Sequence, residues 1–395
     1  MAGKMIAAAP AIQLSKLYAG AMYKVMTREL DWDSMYPSSA ALQADMKCFR
    51  DTVAASAGGN WWKRDQMMLV AGDASEYAFA AYTPAGELKG NPIVVTFTDH
   101  ELQLQKQNQY SSTLREIVCI LKTVKVLLEH APELVQHRRL CYETDSQTGF
   151  HSVMRMKGNA STFPVVKELR LLCAAEDVEI DVVWKPREHA NQQVSVWGNN
   201  SLSNTGKLAC ASVLEWFRMH ANKSSACVQV ADQWSKVEDN SEWVLHEEVF
   251  QELIRDPVLQ GRKPALDVFA SSTTTKVPEA FYSKYLCPGT KGVDAMVQPW
   301  VLRDQAGSKQ LVYINGPFQL MGPIVRKIKD EQVDCILIGP KWPRHWIALL
   351  QTVAVRKEIE LPHRHDLFIP GPHVTRKPAK PRHPAYKVMA WFIMW

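Results

Sequence analysis

The chain has 395 residues, of which 46% are hydrophobic and 22% are charged, and its formal net charge at pH 7 is +5. This composition excludes a disordered chain and leaves room for about two or three domains. The sequence has no run of about 20 apolar residues of the kind that spans a membrane. The mild positive charge permits a polyanionic partner without requiring one.

The eight cysteines are scattered, with no Cys-x-x-Cys pair and no Cys/His cluster at the spacing of zinc ligands. This pattern predicts buried free thiols in a reducing compartment, the cytoplasm or nucleus, and not a disulfide framework or a structural zinc site. Gln13 and Lys16 interrupt the apolar N-terminal segment, which disfavours a signal peptide. We therefore expect an intracellular protein with no membrane partner.

The first half of the chain alternates between strand and helix patterns after residues 1–60, which form helix-like pieces without a core of their own. Five apolar runs have the length and turn signals of strands: MMLVAGDAS (67–75), YAFAAYTP (77–84), NPIVVTFT (91–98), LCYETDS (140–146) and VEIDVVWKP (178–186). Two helices are predicted among the later strands, over about 113–130 and 162–176. The order β-β-β-α-β-α-β predicts an α/β domain with a mixed sheet and helices packed on it.

Three acidic residues lie at notable points of these elements. Asp73 ends the first strand, Glu116 lies in the first turn of the first helix, and Asp145 ends the fourth strand. Each has a simpler explanation, because Asp73 and Asp145 can cap turns and Glu116 can complete a capping box with Thr113. Their joint occurrence in this element order favours a shared site.

Four segments occur in order within residues 66–193: AGDAS around Asp73, STLREIVCILKTV around Glu116, YETDSQT around Asp145, and WKPREHANQ. Together they resemble the RNase H domain of retroelement reverse transcriptases, most closely those of tyrosine-recombinase retrotransposons of the DIRS and Ngaro type. The resemblance implies hydrolysis of the RNA strand of an RNA–DNA hybrid. It also places His189 where such enzymes often carry a mobile histidine that assists proton transfer or product release, although an ordinary surface histidine is the alternative.

The resemblance further implies a metal site in which four carboxylates hold two Mg²⁺ ions, with Mn²⁺ as the alternative ion. Hydrolysis of a phosphodiester requires charge neutralisation at both the attacking and the leaving oxygen, which two divalent ions about 4 Å apart can supply. Hard cations of this kind prefer oxygen ligands, in keeping with a site built from carboxylates. Asp73, Glu116 and Asp145 are three of the four expected ligands.

The fourth ligand is expected from a family motif of the form N-x-x-A-D-x-x-S, but Val194 to Trp197 follow the fourth segment without an acid. The matching acid is Asp232 in VADQWSK (230–236), where Ser235 follows at the expected spacing. Removing residues 194–229 would join PREHANQQ directly to this motif. We interpret 194–229 as an insertion in an RNase H-like domain over 66–243, either an intron translated in frame or a genuine surface insertion.

A second α/β pattern follows SEWVLHEEVFQELIRDP (241–257), which is predicted as a helix. Three strands and one helix are predicted in it: ALDVFAS (265–271), QLVYINGPF (310–318), GPIVRKIKDEQV (322–333, helical) and DCILIGPKWP (334–343). The strand ends carry Asp267, Asn315 and Pro340. This pattern predicts a smaller, Rossmann-like domain over 244–370 with a crevice at the carboxyl edge of its sheet.

The tetrad Asn315-Gly316-Pro317-Phe318 in this domain is similar to the NPPF/Y tetrad of phage-type adenine-N6 DNA methyltransferases, in which it holds a flipped base. The resemblance makes Asn315, Pro317 and Phe318 candidate binding residues. Gly316 stands where the family has proline, and no Gly-rich cofactor loop is present, so S-adenosylmethionine is not the expected cofactor. A structural tight turn is the alternative explanation of the tetrad.

The two ends of the chain fit a fragment of a retroelement polyprotein. Residues 1–60 resemble the end of a reverse transcriptase, and the chain contains no polymerase motif. Residues 371–395 are predicted as a basic, Pro-rich tail, which is either solvated or contacts phosphates. Three hypotheses follow: an RNase H-type endonuclease whose partners are a hybrid and the rest of the polyprotein, a catalytically silent transposon relic that only binds nucleic acid, and a DNA adenine methyltransferase activity of the second domain.

Overall fold

The computed structural model describes residues 39–55, 67–83, 91–185, 230–236, 242–371 and 386–395, together with Leu14, Leu17, Leu88, Val228 and Val374. The chain has an α/β fold, as predicted, and divides into two compact units. The first unit comprises Met1–Ala74, Ala80–Gly90 and Asn108–Asp232. The second comprises Ser75–Phe79, Asn91–Gln107 and Gln233–Trp395. The division falls at residue 232, earlier than the predicted boundary at 243.

The first sheet has five strands, at the five positions that the sequence predicts. They are β1 (Met67–Ala74), β2 (Ala78–Tyr82), β3 (Ile93–Thr96), β4 (Arg139–Thr144) and β5 (Glu179–Trp184). Their order across the sheet is β3-β2-β1-β4-β5. Strands β1, β4 and β5 are parallel, with Ala71 opposite Glu143 and Glu143 opposite Val183. The carboxyl ends of these three strands therefore lie at one edge of the sheet.

Among the described residues, five helices accompany this sheet in the sequence: α1 (Ala40–Ala55), α2 (Asp99–Lys106), α3 (Ser112–His130), α4 (Gln147–Arg155) and α5 (Thr162–Ala175). The two predicted helices are confirmed as α3 and α5. Helix α3 buries an apolar face that includes Ile117, Ile120 and Val124. Helix α4 was not predicted; its first turn is capped by Ser146, whose hydroxyl accepts a hydrogen bond from the backbone N–H of Gly149 at 3.1 Å.

The second unit contains a seven-stranded sheet whose order is β12-β14-β11-β10-β7-β8-β9. Its strands are β7 (Pro264–Asp267), β8 (Phe281–Ser283), β9 (Thr290–Val293), β10 (Leu311–Ile314), β11 (Cys335–Pro340), β12 (Val355–Glu360) and β14 (Val388–Ile393). Strand β14 runs antiparallel to both of its neighbours. The pairs from β11 to β9 are parallel. Residues 371–395, predicted as a tail, thus supply a fully buried inner strand of this sheet.

Helices α6 (Glu247–Ile254), α7 (Met321–Glu331) and α8 (His345–Leu350) belong to this unit, as does a two-stranded sheet of β6 (Trp243–Leu245) and β13 (Phe368–Pro370). Two apolar clusters form its core, one containing Trp300 and Ile324, the other Phe250 and Phe392. The prediction of one continuous helix over 241–257 is wrong at its start. Trp243–Leu245 instead pairs with β13, and the helix begins after His246, whose side chain caps it.

No helix in the described part of the chain is both long enough and apolar enough to cross a bilayer. The basic run at 374–387 lies mostly outside the described residues.

Candidate metal centre

The pairing of β1 with β4 brings two of the predicted ligands together. Ala71 and Glu143 are direct partners in this parallel ladder. Asp73 and Asp145 each follow two residues later, so they lie at the same level of neighbouring strands. Because the register of a parallel pair fixes this level, the two carboxylates meet at the carboxyl edge although 72 positions separate them in the sequence.

The third predicted ligand, Glu116, comes from helix α3. The hydroxyl of Ser111 caps this helix and accepts a hydrogen bond from the N–H of Leu114 at 3.2 Å. The predicted capping box between Thr113 and Glu116 is therefore wrong, because the helix begins two residues earlier than that box requires. A capping box exists instead at the start of α2, between Thr98 and Glu101. Capping thus does not account for the buried Glu116.

Asp73, Glu116 and Asp145 form one group, here called the carboxylate triad. Each supplies a carboxylate oxygen, and these oxygens lie within 4.8 Å of one another. Asp73 and Glu116 are buried, with exposed fractions of 1% and 8%, whereas Asp145 is half-buried. Oxygens bound to one Mg²⁺ at about 2.1 Å lie about 3 to 4 Å apart. The spacing of the triad therefore fits a hard divalent cation, and its accessible side is that of Asp145.

A buried contact beneath the triad joins its three supporting elements. The Cys119 thiol of α3 lies 3.1 Å from the Tyr142 hydroxyl of β4 and 3.7 Å from the backbone oxygen of Asp73. Burial, and next the charge of Glu116, raise the pKa of the Cys119 thiol well above its usual value, so the thiol is neutral. The Tyr142 hydroxyl occupies the space beside Gly72, where a Cβ atom would lie 1.7 Å from it. Gly72 is thus required by this contact.

Helix α4 begins beside the triad. Ser146 caps it, and the alternative that Asp145 caps a turn stays a prediction. Gly149 in its first turn faces Glu116 closely enough that an added Cβ would lie 3.6 Å from the Cβ of Glu116. The positive end of a helix dipole therefore lies close to the triad.

The remaining predicted residues of this site have different outcomes. Asp232 is half-buried in a helical segment at 230–236. Within the described part of the chain it does not belong to the group of mutually close ligands, so its role as fourth ligand stays a prediction. His189 and nearly all of the predicted insertion 194–229 lie outside the described residues.

The second unit contains a cavity of about 570 Å³ at the carboxyl ends of its parallel strands. Asp267, at the end of β7, and Tyr313, its direct partner on β10, both line it. Both side chains are fully buried, and the Asp267 Oδ1 and Tyr313 hydroxyl atoms have no hydrogen-bond partner among the described residues. The sequence pattern indicated the crevice and Asp267. It did not indicate Tyr313, because the alternation of residues along a strand does not show which buried tyrosine hydroxyl has no hydrogen-bond partner among the described residues.

Asp267 carries an unusual carboxyl group. Burial raises its pKa to about 7, although the backbone N–H of Lys276 donates a hydrogen bond to Oδ2 at 2.8 Å and opposes this shift. Burial, and next the charge of Asp267, raise the pKa of Tyr313 well above its usual value. The cavity therefore combines a neutral phenol with a carboxyl group that titrates near neutrality.

The predicted tetrad is engaged in contacts within the second unit. The side-chain amide of Asn315 donates a hydrogen bond to the backbone oxygen of Trp243 at 3.0 Å. The ring of Phe318 packs edge-on against three aromatic rings, those of Trp342, Phe368 and Tyr386. Asn315 and Pro317 line the cavity. These contacts favour the structural explanation of the tetrad over a role in holding a flipped base.

Glycine at position 316 has a steric reason. A Cβ at Gly316 would lie 2.8 Å from Ile324 Cδ1 and 2.9 Å from the Phe269 ring. The loop after β7 also leads to β8 without an intervening helix. The cavity therefore lacks, after β7, the helix N-terminus that binds a phosphate in dinucleotide sites.

No protein-family model matches this chain, and no curated protein matches it. The likeness to retroelement RNase H domains remains a resemblance carried by four short segments. Function is therefore inferred from the carboxylate triad of the first unit and from the cavity of the second.

Proposed function

We propose that the first unit is an RNase H-type nuclease module that hydrolyses the RNA strand of an RNA–DNA hybrid. The observation that carries this proposal is the convergence of Asp73, Glu116 and Asp145 from two strands and a helix within 4.8 Å. Single turn-capping roles do not explain why acids that are distant in sequence meet at one sheet edge. Their order along the chain also matches the segments of the resemblance.

The donor set fits a divalent cation. All three groups offer carboxylate oxygens, the ligands that Mg²⁺ and Mn²⁺ prefer, and the nearby Cys119 thiol is neutral and buried. Bound Mg²⁺ would supply charge neutralisation at the attacking and leaving oxygens of a phosphodiester. Asp73 and Asp145 would hold it through the register of β1 and β4, and Glu116 through α3. The half-buried Asp145 marks the side from which a phosphate reaches the site.

Two further residues complete the proposal. Asp232 serves as the fourth carboxylate if the segment at 230–236 closes over the triad, and His189 assists proton transfer or product release. Recognition of the hybrid then depends on its helical shape and its 2′-hydroxyl groups, and not on base sequence. A comparison of transcript with genomic DNA across codons 193–230 decides between an intron and a true insertion.

Substitution of the triad tests the proposal. Asp73→Asn and Asp145→Asn keep the side-chain volume and remove a negative ligand, so each lowers Mg²⁺-dependent cleavage of a labelled hybrid by about a thousandfold, or about 4 kcal/mol of activation free energy. Glu133→Gln, at an exposed position of the same unit, is the matched control and retains cleavage.

Circular dichroism of each variant separates loss of chemistry from loss of fold. Equal cleavage by wild type and by both triad variants would refute the metal assignment. A wild-type protein that binds the hybrid, but neither cleaves it nor binds Mn²⁺, is instead the transposon relic that only binds nucleic acid.

A second candidate function belongs to the cavity of the second unit. The Asp267 Oδ1 and Tyr313 hydroxyl atoms have no hydrogen-bond partner among the described residues, which favours a bound ligand that carries an N–H donor. S-adenosylmethionine, which the methyltransferase resemblance implies, carries such an amine and has no phosphate. Because S-adenosylmethionine has no phosphate, it does not need a helix N-terminus after β7, whereas a nucleotide does. The contacts of Asn315 and Phe318 do not support methyl transfer to a flipped base, so the candidate function is binding.

Equilibrium binding of radiolabelled S-adenosylmethionine tests this candidate. Binding by wild type would identify S-adenosylmethionine as the ligand, and Tyr313→Phe, which removes one hydroxyl, would then weaken binding by about tenfold, the worth of one hydrogen bond. Tyr282→Phe is the control, because the Tyr282 hydroxyl already donates to the backbone oxygen of Pro299 at 2.7 Å. If wild type does not bind S-adenosylmethionine, this compound is not the ligand of the cavity.

A further inference from the structure

A buried ion pair lies next to the carboxylate triad. The Glu143 side chain on β4 is fully buried, and the ammonium of Lys185 lies 2.8 Å from its Oε1 atom. The Lys185 side chain is itself only 13% exposed. Breaking such a pair by removing one partner leaves an uncompensated charge inside the protein. Neither residue was a candidate from the sequence.

The strand register fixes the position of this pair relative to the triad. Glu143 lies two residues before Asp145, and its partner Ala71 lies two residues before Asp73. Glu143 is therefore about 7 Å along the strands from the level of both ligands. On the other side, Thr144 pairs with Trp184, so Lys185 follows at the level of Asp145, and its N–H donates to the Thr144 oxygen at 2.9 Å.

A second ion pair on the same two strands provides a comparison. Arg139 of β4 donates from Nε to the Asp181 carboxylate of β5 at 2.5 Å, and the Arg139 side chain is 8% exposed. Arg139 lies six residues before Asp145, about 20 Å along the strand. That distance exceeds the screening length of about 8 to 10 Å at physiological salt. The two pairs join the same neighbouring strands but differ in distance from the triad. Arg139 also lies 3.9 Å from a carboxylate oxygen of Glu179, and the Asp181 side chain is 24% exposed.

We infer that Glu143 is a positioning residue that neutralises Lys185 and so preserves the affinity of the triad for divalent cations. This inference rests on the proposed metal-dependent function. Three carboxylates attract a divalent ion, and an uncompensated ammonium on Lys185, whose backbone lies at the level of Asp145, repels it. With Glu143 bound to Lys185, the pair adds no net charge beside the triad.

If the role of Glu143 is electrostatic, the two single variants leave net charges of opposite sign beside the triad and change the Mn²⁺ affinity differently. Glu143→Gln leaves a net positive charge beside the triad and weakens Mn²⁺ binding by about tenfold, the effect of a unit charge some 7 to 8 Å from a divalent ion in a mostly aqueous dielectric. Lys185→Met leaves a net negative charge and does not weaken Mn²⁺ binding. The double variant restores zero net charge and wild-type affinity. A purely structural contact would instead weaken binding in both single variants.

Mn²⁺ titration of the full chain, followed by electron paramagnetic resonance, measures these affinities. Asp73→Asn identifies the signal that belongs to the triad, and circular dichroism checks the fold of each variant. The double variant Glu143→Gln/Lys185→Met keeps the test usable if a single variant fails to fold, because a neutral pair replaces a buried ion pair without leaving a charge. Asp181→Asn is the matched control and leaves Mn²⁺ affinity unchanged.

The outcomes separate the two claims. If wild type shows no Mn²⁺ binding that Asp73→Asn removes, the proposed function fails, and this inference fails with it. If wild type binds Mn²⁺ at the triad but both single variants weaken binding equally, or the double variant does not recover, only the inference is overturned. Weakening by Asp181→Asn to the same extent as by Glu143→Gln also overturns it.

Discussion

The two units place buried acids at the same kind of position, the carboxyl end of a parallel strand, but with different surroundings. Asp73 and Asp145 end neighbouring strands and meet Glu116, so three carboxylates lie within 4.8 Å. Asp267 ends β7 beside the phenol of Tyr313. The first arrangement concentrates negative charge, whereas the second buries a single carboxyl group beside a phenol and a backbone N–H donor, that of Lys276.

This difference indicates what each site can bind. Several carboxylates close together are stabilised by a cation, because an added positive charge relieves their mutual repulsion. A single buried carboxyl group relieves its desolvation by taking up a proton or by accepting a hydrogen bond from a ligand. A strand end thus supplies only the position of an acid, and its neighbours determine the chemistry.

The largest expected effect that sharpens this contrast is the pH dependence of Asp267. Burial raises its pKa from 3.8 to about 7 in the folded protein, so between these values the folded state binds more protons than the unfolded state. Stability therefore decreases as pH rises from about 4 to 7, by at most about 4 kcal/mol from this group. Asp267→Asn removes this decrease, as measured by denaturant unfolding followed by tryptophan fluorescence.

Asp330→Asn, at an exposed position of helix α7 in the same unit, is the control and keeps the wild-type pH dependence. If Asp267→Asn and wild type lose stability equally between pH 4 and 7, burial does not raise the pKa of Asp267 in the folded protein.

A smaller effect is the loss of stability when a methyl group is added at Gly72, next to the triad, or at Gly316, next to the cavity. At Gly72 an added Cβ would lie 1.7 Å from the Tyr142 hydroxyl and 2.5 Å from its Cζ atom. Both atoms belong to a fully buried ring, so Gly72→Ala costs about 3 kcal/mol and displaces the end of β1 that carries Asp73. Thermal unfolding and Mn²⁺ affinity measure both consequences.

Gly316→Ala is the matched variant in the second unit. Its closest contacts are 2.8 Å with the terminal Cδ1 atom of Ile324 and 2.9 Å with the half-buried Phe269 ring. Both are much longer than the 1.7 Å contact at Gly72, so the cost is lower, about 1 kcal/mol. Equal costs at the two glycines would show that the Tyr142 ring moves aside as easily as the side chains around Gly316.

The smallest effect concerns the hydroxyl groups of two buried tyrosines. Tyr313→Phe removes a hydroxyl without a hydrogen-bond partner in the described part of the protein, so the unliganded stability changes by less than about 0.5 kcal/mol. Tyr282→Phe removes the bond to the Pro299 oxygen and costs about 1 kcal/mol. Denaturant unfolding of both variants compares them, and a large loss in Tyr313→Phe would reveal a partner for its hydroxyl.

Much of the fold follows from local patterns in the sequence. The 3.6-residue periodicity of 113–130 predicts a helix that begins one residue away from the observed α3, and all five strands of the first sheet coincide with apolar runs. The same patterns missed β8 and β9, which have only three and four residues. They also assigned 241–257 to a single helix, because the apolar spacing of WVL does not distinguish a short strand from a helical turn.

The C-terminal residues show a second limit of sequence patterns. The basic, Pro-spaced run before them favours a tail, yet Val388–Ile393 is fully buried between β11 and β12. No local signal identifies the partners of a strand, because pairing joins residues that are distant in sequence. The same limit applies to the cap of α3. The sequence offered Thr113, but Ser111 caps the helix because the helix begins at Ser112.

The sequence by itself determined the α/β class and many of the strands and helices, because these depend on periodicity, and the resemblance to RNase H domains selected the three acids of the triad. Only the tertiary structure decided that Asp73, Glu116 and Asp145 lie close together, that Glu143 pairs with Lys185 nearby, and that Asp267 and Tyr313 line the same cavity. Strand register and helix packing fix these distances, and neither is encoded in any short stretch of the chain.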